Sequence, residues 1–198
     1  MLRLIPLAAS LALIVGMATA EDIKVGVSPG EHAEIMEEVA KVAAPKGLNI
    51  KVVEFSDYVV PNQALADGDI EANSFQHKPY LENQMKDRGF DLAVVGTTIT
   101  TPMGVYSDKI KSLDALKSGD TVGIPNDPTN GGRALLVLQQ LGEIKVDAGA
   151  GLKPTVLDIT ENPKDLKFRE LDAAQLPRSL ADLTAALINT NYAIASGL

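Results

Sequence analysis

Thr121-Val-Gly-Ile124 runs into Pro125-Asn-Asp-Pro-Thr-Asn-Gly-Gly-Arg133, and that into Ala134-Leu-Leu-Val-Leu-Gln-Gln-Leu141. The first four residues read as a short strand, the next nine as a turn-rich loop, and the last eight as an apolar helix. Strand, loop and helix in that order are the building step of an α/β fold. The first N–H groups of a helix lack intrahelical partners, and the macrodipole makes that end partly positive. Paired glycines let backbone approach closely, and Arg133 adds a planar fork of donors. Together they predict a site for a small anion, most economically a carboxylate. The plainer alternative is that Asn130 caps the helix and Arg133 makes a surface ion pair. These residues alone leave both readings open.

Upstream, Ile23-Lys-Val-Gly-Val27 alternates as a first strand, Glu31 to Ala44 carries an apolar stripe at helical spacing, and Asn49 to Phe55 reads as a second strand. This βαβ pattern predicts a parallel pair with a right-handed crossover. Ser56 to Asp67 reads as a helix with Pro61 in its first turn and Gly68 closing it. Asp69 to Phe75 then reads as a third strand, and Pro79 opens a helix to about Arg88. In a chain with only 4% aromatic residues, Phe75, His77 and Tyr80 fall within six positions at a strand-to-helix turn. Open α/β sheets bind ligands at the carboxyl ends of their strands. The alternative is that Phe75 and Tyr80 are ordinary core and His77 a solvated turn residue.

Leu92 to Thr101 and Met103 to Tyr106 read as strands crossing between two lobes. Ser112 to Lys117 reads as a short helix, Lys167 to Leu171 as a strand, the run from Leu176 as a helix, and Ala185 to Asn189 as a strand with a polar end.

The chain has 198 residues, 45% of them hydrophobic, enough for a substantial core. Lys and Arg total 18 against 26 Asp and Glu, a net of -8 with no basic block, which speaks against nucleic acid as a partner. With 0 cysteines and 2 histidines, disulfides, thiolate sites, a cysteine nucleophile and a histidine metal cage are excluded, so neither metal nor cofactor is expected. At the N-terminus, Arg3, the apolar run Leu4 to Val15 and Ala18-Thr19-Ala20 make a signal peptide over residues 1–20. No cysteine follows it to carry a lipid. The expectation is an exported, soluble, periplasmic protein without a lipid anchor.

Six runs occur in order: Ile23-Lys-Val-Gly-Val27, Asp57-Tyr-Val-Val-Pro-Asn62, Gly68-Asp-Ile-Glu-Ala-Asn-Ser-Phe-Gln-His-Lys-Pro-Tyr80, Pro125-Asn-Asp-Pro-Thr-Asn130, Gln175-Leu-Pro-Arg-Ser179 and Ile188-Asn-Thr-Asn-Tyr192. Together they resemble the NlpA/MetQ family, the methionine-binding proteins of bacterial ABC importers. The resemblance implies a two-lobe α/β periplasmic-binding-protein fold, type II-like, with lobe 1 over 21–106 and lobe 2 over 107–198. It implies that Arg133 binds the carboxylate of L-methionine with Asn130 beside it, and that Asn189 bonds the ligand's polar end. Tyr58, Phe75, His77 and Tyr80 would then line a thioether pocket. The implied partners are a membrane permease and its cytoplasmic ATPase, served by a monomeric receptor. Many members of the family are lipoproteins, and members continue beyond the position of Leu198. The expectation is therefore a truncated form, with a first lobe incomplete at its C-terminal side and an exposed edge.

Two other functions fit a two-lobe fold. An enzyme would need a constellation around His77, but the signature runs offer no nucleophile–base pair, phosphate loop or metal set. A ligandless adhesin or signalling protein would not need Arg133 and the aromatics to converge on one cleft.

Overall fold

The structure is a computed structural model describing residues 21–198; the expected signal peptide over 1–20 lies outside the described residues. β1 (Glu21–Val27), α1 (Glu31–Ala43) and β2 (Leu48–Glu54) form the expected βαβ unit, with β1 and β2 parallel from Glu21↔Leu48 to Val27↔Glu54. After α2 (Val60–Ala66), which carries Pro61 in its first turn, β3 (Ala72–Ser74) pairs parallel on the other edge of β1. The strand expected over 69–75 is thus cut to three residues. Asp69 is still tied to α2 through its N–H to the Ala64 carbonyl at 2.9 Å, so pairing starts only beyond Ile70. α3 (Lys78–Arg88) follows.

The core of this first unit joins Val25 and Val27 to Ala33 and Met36 of α1. The rest of the α1 stripe is less covered. Val39 and Val42 are 41% and 53% exposed and, with Ile35 and Ala43, line an open groove. His32, in the first turn of α1, is half-buried, and burial lowers its pKa from the ordinary 6.5 against the smaller opposing pull of Glu31. A base with a depressed native pKa contributes full stability above 6.5 and loses it as pH falls through the native value. Thermal melts should therefore show a decline in stability that begins below pH 6.5, before the carboxylates titrate. His32→Gln should flatten that decline.

The second unit contains β4 (Met103–Tyr106), β5 (Thr121–Pro125), α4 (Pro128–Gln140), β8 (Lys167–Leu171) and β9 (Ala185–Asn189). Between α4 and β8, β6 (Lys145–Val146) and β7 (Ile159–Glu161) form a small antiparallel ribbon. The main sheet has the order β4-β9-β5-β8, with β5 parallel to β8 and β9, and β4 antiparallel to β9. Every residue of β9 is buried, and its apolar run Ala185-Ala-Leu-Ile188 is that of a strand covered on both faces. On α4, Ala134, Leu135 and Leu138 are sealed against Val122, Ile124 and Leu187. Each large apolar side chain buried there contributes about 1.5–3 kcal/mol. α5 (Thr190–Ala195) then turns back onto the first unit, with the Asn191 backbone packed close over Gly30.

Three further expected elements differ. Residues 89–102 carry no regular secondary structure, so Leu92 to Thr101 is not a strand. Val95 in that stretch is 95% exposed, and β-branched residues form strands only where a neighbour supplies ladder partners and a face to bury. The helix expected over 112–117 is one 3-10 turn, Leu113–Ala115, and the helix expected from Leu176 is a 3-10 run, Pro177–Asp182. Pro177 sits at the first position of that run, where its missing N–H costs nothing, and burial of Leu176, Leu180 and Leu183 accompanies the tighter winding.

Candidate ligand-binding cleft between the two sheets

Each sheet has a topological switch point, since β1 lies between β2 and β3 and β5 lies between β9 and β8. Crevices open at the carboxyl ends of such central strands. At the second, β5 delivers Asn126 and Asp127 into α4; at the rim of the first, β3 delivers Phe75, Gln76 and His77 into α3. The two rims meet where His77 Nε2 lies 3.2 Å from Asn130 Oδ1.

The start of α4 is capped by Asp127, not by Asn130. Asp127 Oδ1 accepts from the N–H of Thr129 at 3.1 Å and of Asn130 at 2.9 Å. This overturns the capping alternative and frees the Asn130 side chain for the cleft. Asn130 Nδ2 donates to Asp127 Oδ2 at 2.9 Å, which fixes the amide so that Oδ1 faces the opposite way. That oxygen accepts from Asn189 Nδ2 at 2.9 Å and faces His77. Asn130 is 2% exposed and Asn189 8%, so this small polar hub is internal.

Arg133, one turn along, belongs to none of the ion pairs among the described residues. Its Nη2 donates to the Thr101 carbonyl at 2.6 Å, tying it to the segment that links the two units. Burial lowers its pKa, partly opposed by Tyr58, but a guanidinium keeps its charge. The contact with Thr101 uses one of five N–H groups. A half-desolvated cation with donors to spare, at the N-terminus of a helix, is suited to a carboxylate.

The glycines of this turn serve the chain's own backbone as well as any ligand. A Cβ on Gly132 would stand 2.8 Å from Lys153 Cα and 2.9 Å from the Leu152 carbonyl oxygen. The loop over 151–153 therefore rests directly on the first turn of α4.

On the facing unit His77 is the N-cap of α3, its Nδ1 accepting the Tyr80 N–H at 3.0 Å. An accepting Nδ1 places the proton of the neutral ring on Nε2, so His77 donates to Asn130. The rings around it form a box: Tyr58 stands 5.9 Å from Phe75, 6.1 Å from Tyr80 and 4.9 Å from Tyr192, centroid to centroid. Phe75 and Tyr80 are buried, as their core alternative required, and Tyr80 also lines a small cavity with Tyr58, Asn126 and Asp127. Tyr80 Oη donates to the Tyr58 carbonyl at 2.9 Å, and Tyr58 Oη donates to Asn191 Oδ1. Burial raises the pKa of the Tyr58, Tyr80 and Tyr192 phenols, which stay neutral donors.

A second polar cluster sets the height of the His77 turn. Asn62, fully buried on α2, exchanges bonds with Gln76 at 2.7 and 2.8 Å and accepts from Asn73 at 3.0 Å. Of the seven residues singled out from the sequence, six are linked by contacts in this region: Tyr58 packs on Phe75 and Tyr80, His77 meets Tyr80 and Asn130, and Asn189 bonds to Asn130, while Arg133 is tied to the Thr101 carbonyl. Asp127, Asn191, Tyr192 and the Thr101 carbonyl also shape it and were missed. Asp127-Pro128 is a legible N-cap followed by a first-turn proline. A backbone carbonyl leaves no sequence signature at all.

This architecture is the two-lobe α/β fold of ABC-transporter substrate-binding proteins. The solved methionine-binding protein MetQ superposes with a TM-score of 0.87 at 57% identity, covering 89% of this chain and 74% of that one. A nutrient-binding protein from Burkholderia cenocepacia bound to methionine superposes with a TM-score of 0.86 at 56% identity, covering 89% and 75%. The chain belongs to the NlpA lipoprotein family, whose model matches residues 23–198. It is 57% identical to the D-methionine-binding lipoprotein MetQ of Escherichia coli K12 over 179 residues, which are 89% of this chain and 66% of that protein. It is 55% identical to the probable D-methionine-binding lipoprotein MetQ of Vibrio cholerae over 172 residues, 86% and 64% respectively. The chain therefore spans about two thirds of the length of these relatives. No helix among the described residues is long and apolar enough to cross a membrane.

Proposed function

We propose that this chain is an exported receptor that captures methionine between its lobes and presents it to an ABC permease and ATPase. The observation that carries the reading is the convergence, through the Asn130–His77 contact, of a half-buried guanidinium and a box of aromatic rings. Arg133 takes the carboxylate, with Asn130 beside it. Asn189 Oδ1, buried and without a hydrogen-bond partner among the described residues, accepts from the ammonium. Tyr58, Phe75, His77 and Tyr80 surround the thioether, whose sulfur–ring contacts are each worth about 0.3–1.5 kcal/mol. The two units, with β4 (Met103–Tyr106) in the second because it pairs with β9 and not in the first as the expected boundary at 106 had it, act as the two lobes, hinged through the linking segment, and the ligand favours closure by touching both. The names of the relatives and the methionine-bound neighbour support the ligand class.

Binding without turnover is favoured by His77 itself. One ring nitrogen is spent on the α3 cap and the other faces Asn130, which leaves no free base at the position an enzyme would need. The test is equilibrium dialysis of the purified chain against labelled L-methionine, with D-methionine, leucine, alanine and a methionine dipeptide as competitors. Retention of unaltered methionine, with leucine and alanine weaker by about tenfold or more, is expected from pocket shape and sulfur contacts. Equal competition by alanine would remove the thioether pocket from the account.

A further inference from the structure

A contact outside the proposed ligand site also spans the cleft. Lys153 Nζ, from the loop of the second unit, donates to Asn83 Oδ1 on α3 at 2.6 Å. Both partners are held in place for it. Asn83 is 9% exposed, and its Nδ2 donates to Asp87 Oδ2 at 2.8 Å, which turns Oδ1 outward towards Lys153. On the other side, Asp147 Oδ1 accepts the Gly149 N–H at 2.8 Å and stiffens the start of the loop, while the bare Cα of Gly132 lets Leu152 and Lys153 rest on α4. The loop is thus seated on the turn that carries Asn130 and Arg133, and any rotation of that turn away from α3 must carry Lys153 away from Asn83.

We propose that Lys153 and Asn83 form a latch that biases the two lobes towards closure independently of the ligand contacts, and so sets how long a captured ligand is held. A hydrogen bond from a charged donor to an oriented amide is stronger than a neutral one, but Lys153 is solvent-exposed, so the bias is small. A roughly threefold to tenfold shift in the open-to-closed ratio is the scale to expect. The part that concerns residence time rests on the proposed function; the closure bias does not.

The chain has 0 cysteines, so Lys86→Cys on α3 and Gln140→Cys on α4 give a unique pair of spin-label sites across the cleft. In the absence of ligand, Lys153→Ala and Asn83→Ala should each move the distance distribution towards the open form by that factor. The double replacement should add nothing further, and Lys153→Arg should restore closure. Melting temperatures close to the parent's separate this from misfolding. With methionine, both single replacements should speed dissociation by the same factor and leave association unchanged. Distances unaltered by either replacement, or effects that add in the double variant, overturn the latch. A shift in distances in a chain that fails to bind methionine would sustain the latch and sink the ligand reading instead.

Discussion

Arg133→Ala is expected to weaken methionine binding by about a hundredfold or more while leaving the fold in place. Truncating one partner of a desolvated, hydrogen-bonded charge pair costs about 2–5 kcal/mol, because the ligand carboxylate is left buried without its counter-charge. Among the described residues the Arg133 side chain makes a single hydrogen bond, to the Thr101 carbonyl, and joins none of the ion pairs. The melting temperature should therefore fall by only a few degrees, on the scale of about 1 kcal/mol. Arg133→Lys should recover part of the affinity, since the charge remains but the planar fork is lost. Titration calorimetry of the three proteins, paired with thermal melts, checks both halves. A large loss of stability with little loss of affinity would make Arg133 a hinge strut.

Asn130→Ala has the opposite signature and should damage stability and binding together. Three bonds converge on this amide: to Asp127 Oδ2 at 2.9 Å, from Asn189 Nδ2 at 2.9 Å, and the contact to His77 at 3.2 Å. Asn189 is buried, so its stranded donor has no water to turn to. Leaving a buried polar group unsatisfied costs about 1–3 kcal/mol, and the alanine variant should lose stability on that scale in chemical denaturation. The loss of affinity should accompany it, because the helix start that presents Arg133 and the rim that carries His77 lose the residue that joins them. Asn130→Asp is the informative partner. It keeps an acceptor for Asn189 and His77 but replaces the donor to Asp127 by a second buried carboxylate, so it should lose at least as much stability as alanine and also repel the ligand carboxylate. Unchanged denaturation midpoints for Asn130→Ala would mean that Asn189 and His77 find other partners.

What the sequence showed and what it hid divide along physical lines. The βαβ start was legible because β1 and α1 each obey one period, and β9 because it is buried on both faces. The start of α4 was legible as a strand-to-helix turn, because Pro128 in its first turn and the apolar run after Arg133 mark the helix. Its cap was misassigned among neighbours, and the capping carboxylate of Asp127 turned out to orient Asn130 rather than compete with it. The linking segment was misread as strand because Val94, Val95, Thr97, Thr98 and Ile99 favour strands intrinsically. Whether a ladder exists depends on a neighbouring strand, which local sequence does not reveal. The Asn83–Lys153 contact spans 70 positions and joins two ordinary residues. The roll of Asn62, Gln76 and Asn73 was hidden for the same reason: a buried polar cluster is recognised only once its members are brought together.

Comparing methionine with methioninamide tests most directly whether the start of α4 recognises a carboxylate. The two share the thioether and the ammonium and differ only at the group assigned to Arg133. Calorimetric titration of the purified chain should show methionine binding and methioninamide weaker by about a hundredfold or more, the difference collapsing in Arg133→Ala. Equal affinities in the parent chain would contradict the account, leaving the aromatic box as a binding surface and Arg133 as no part of it.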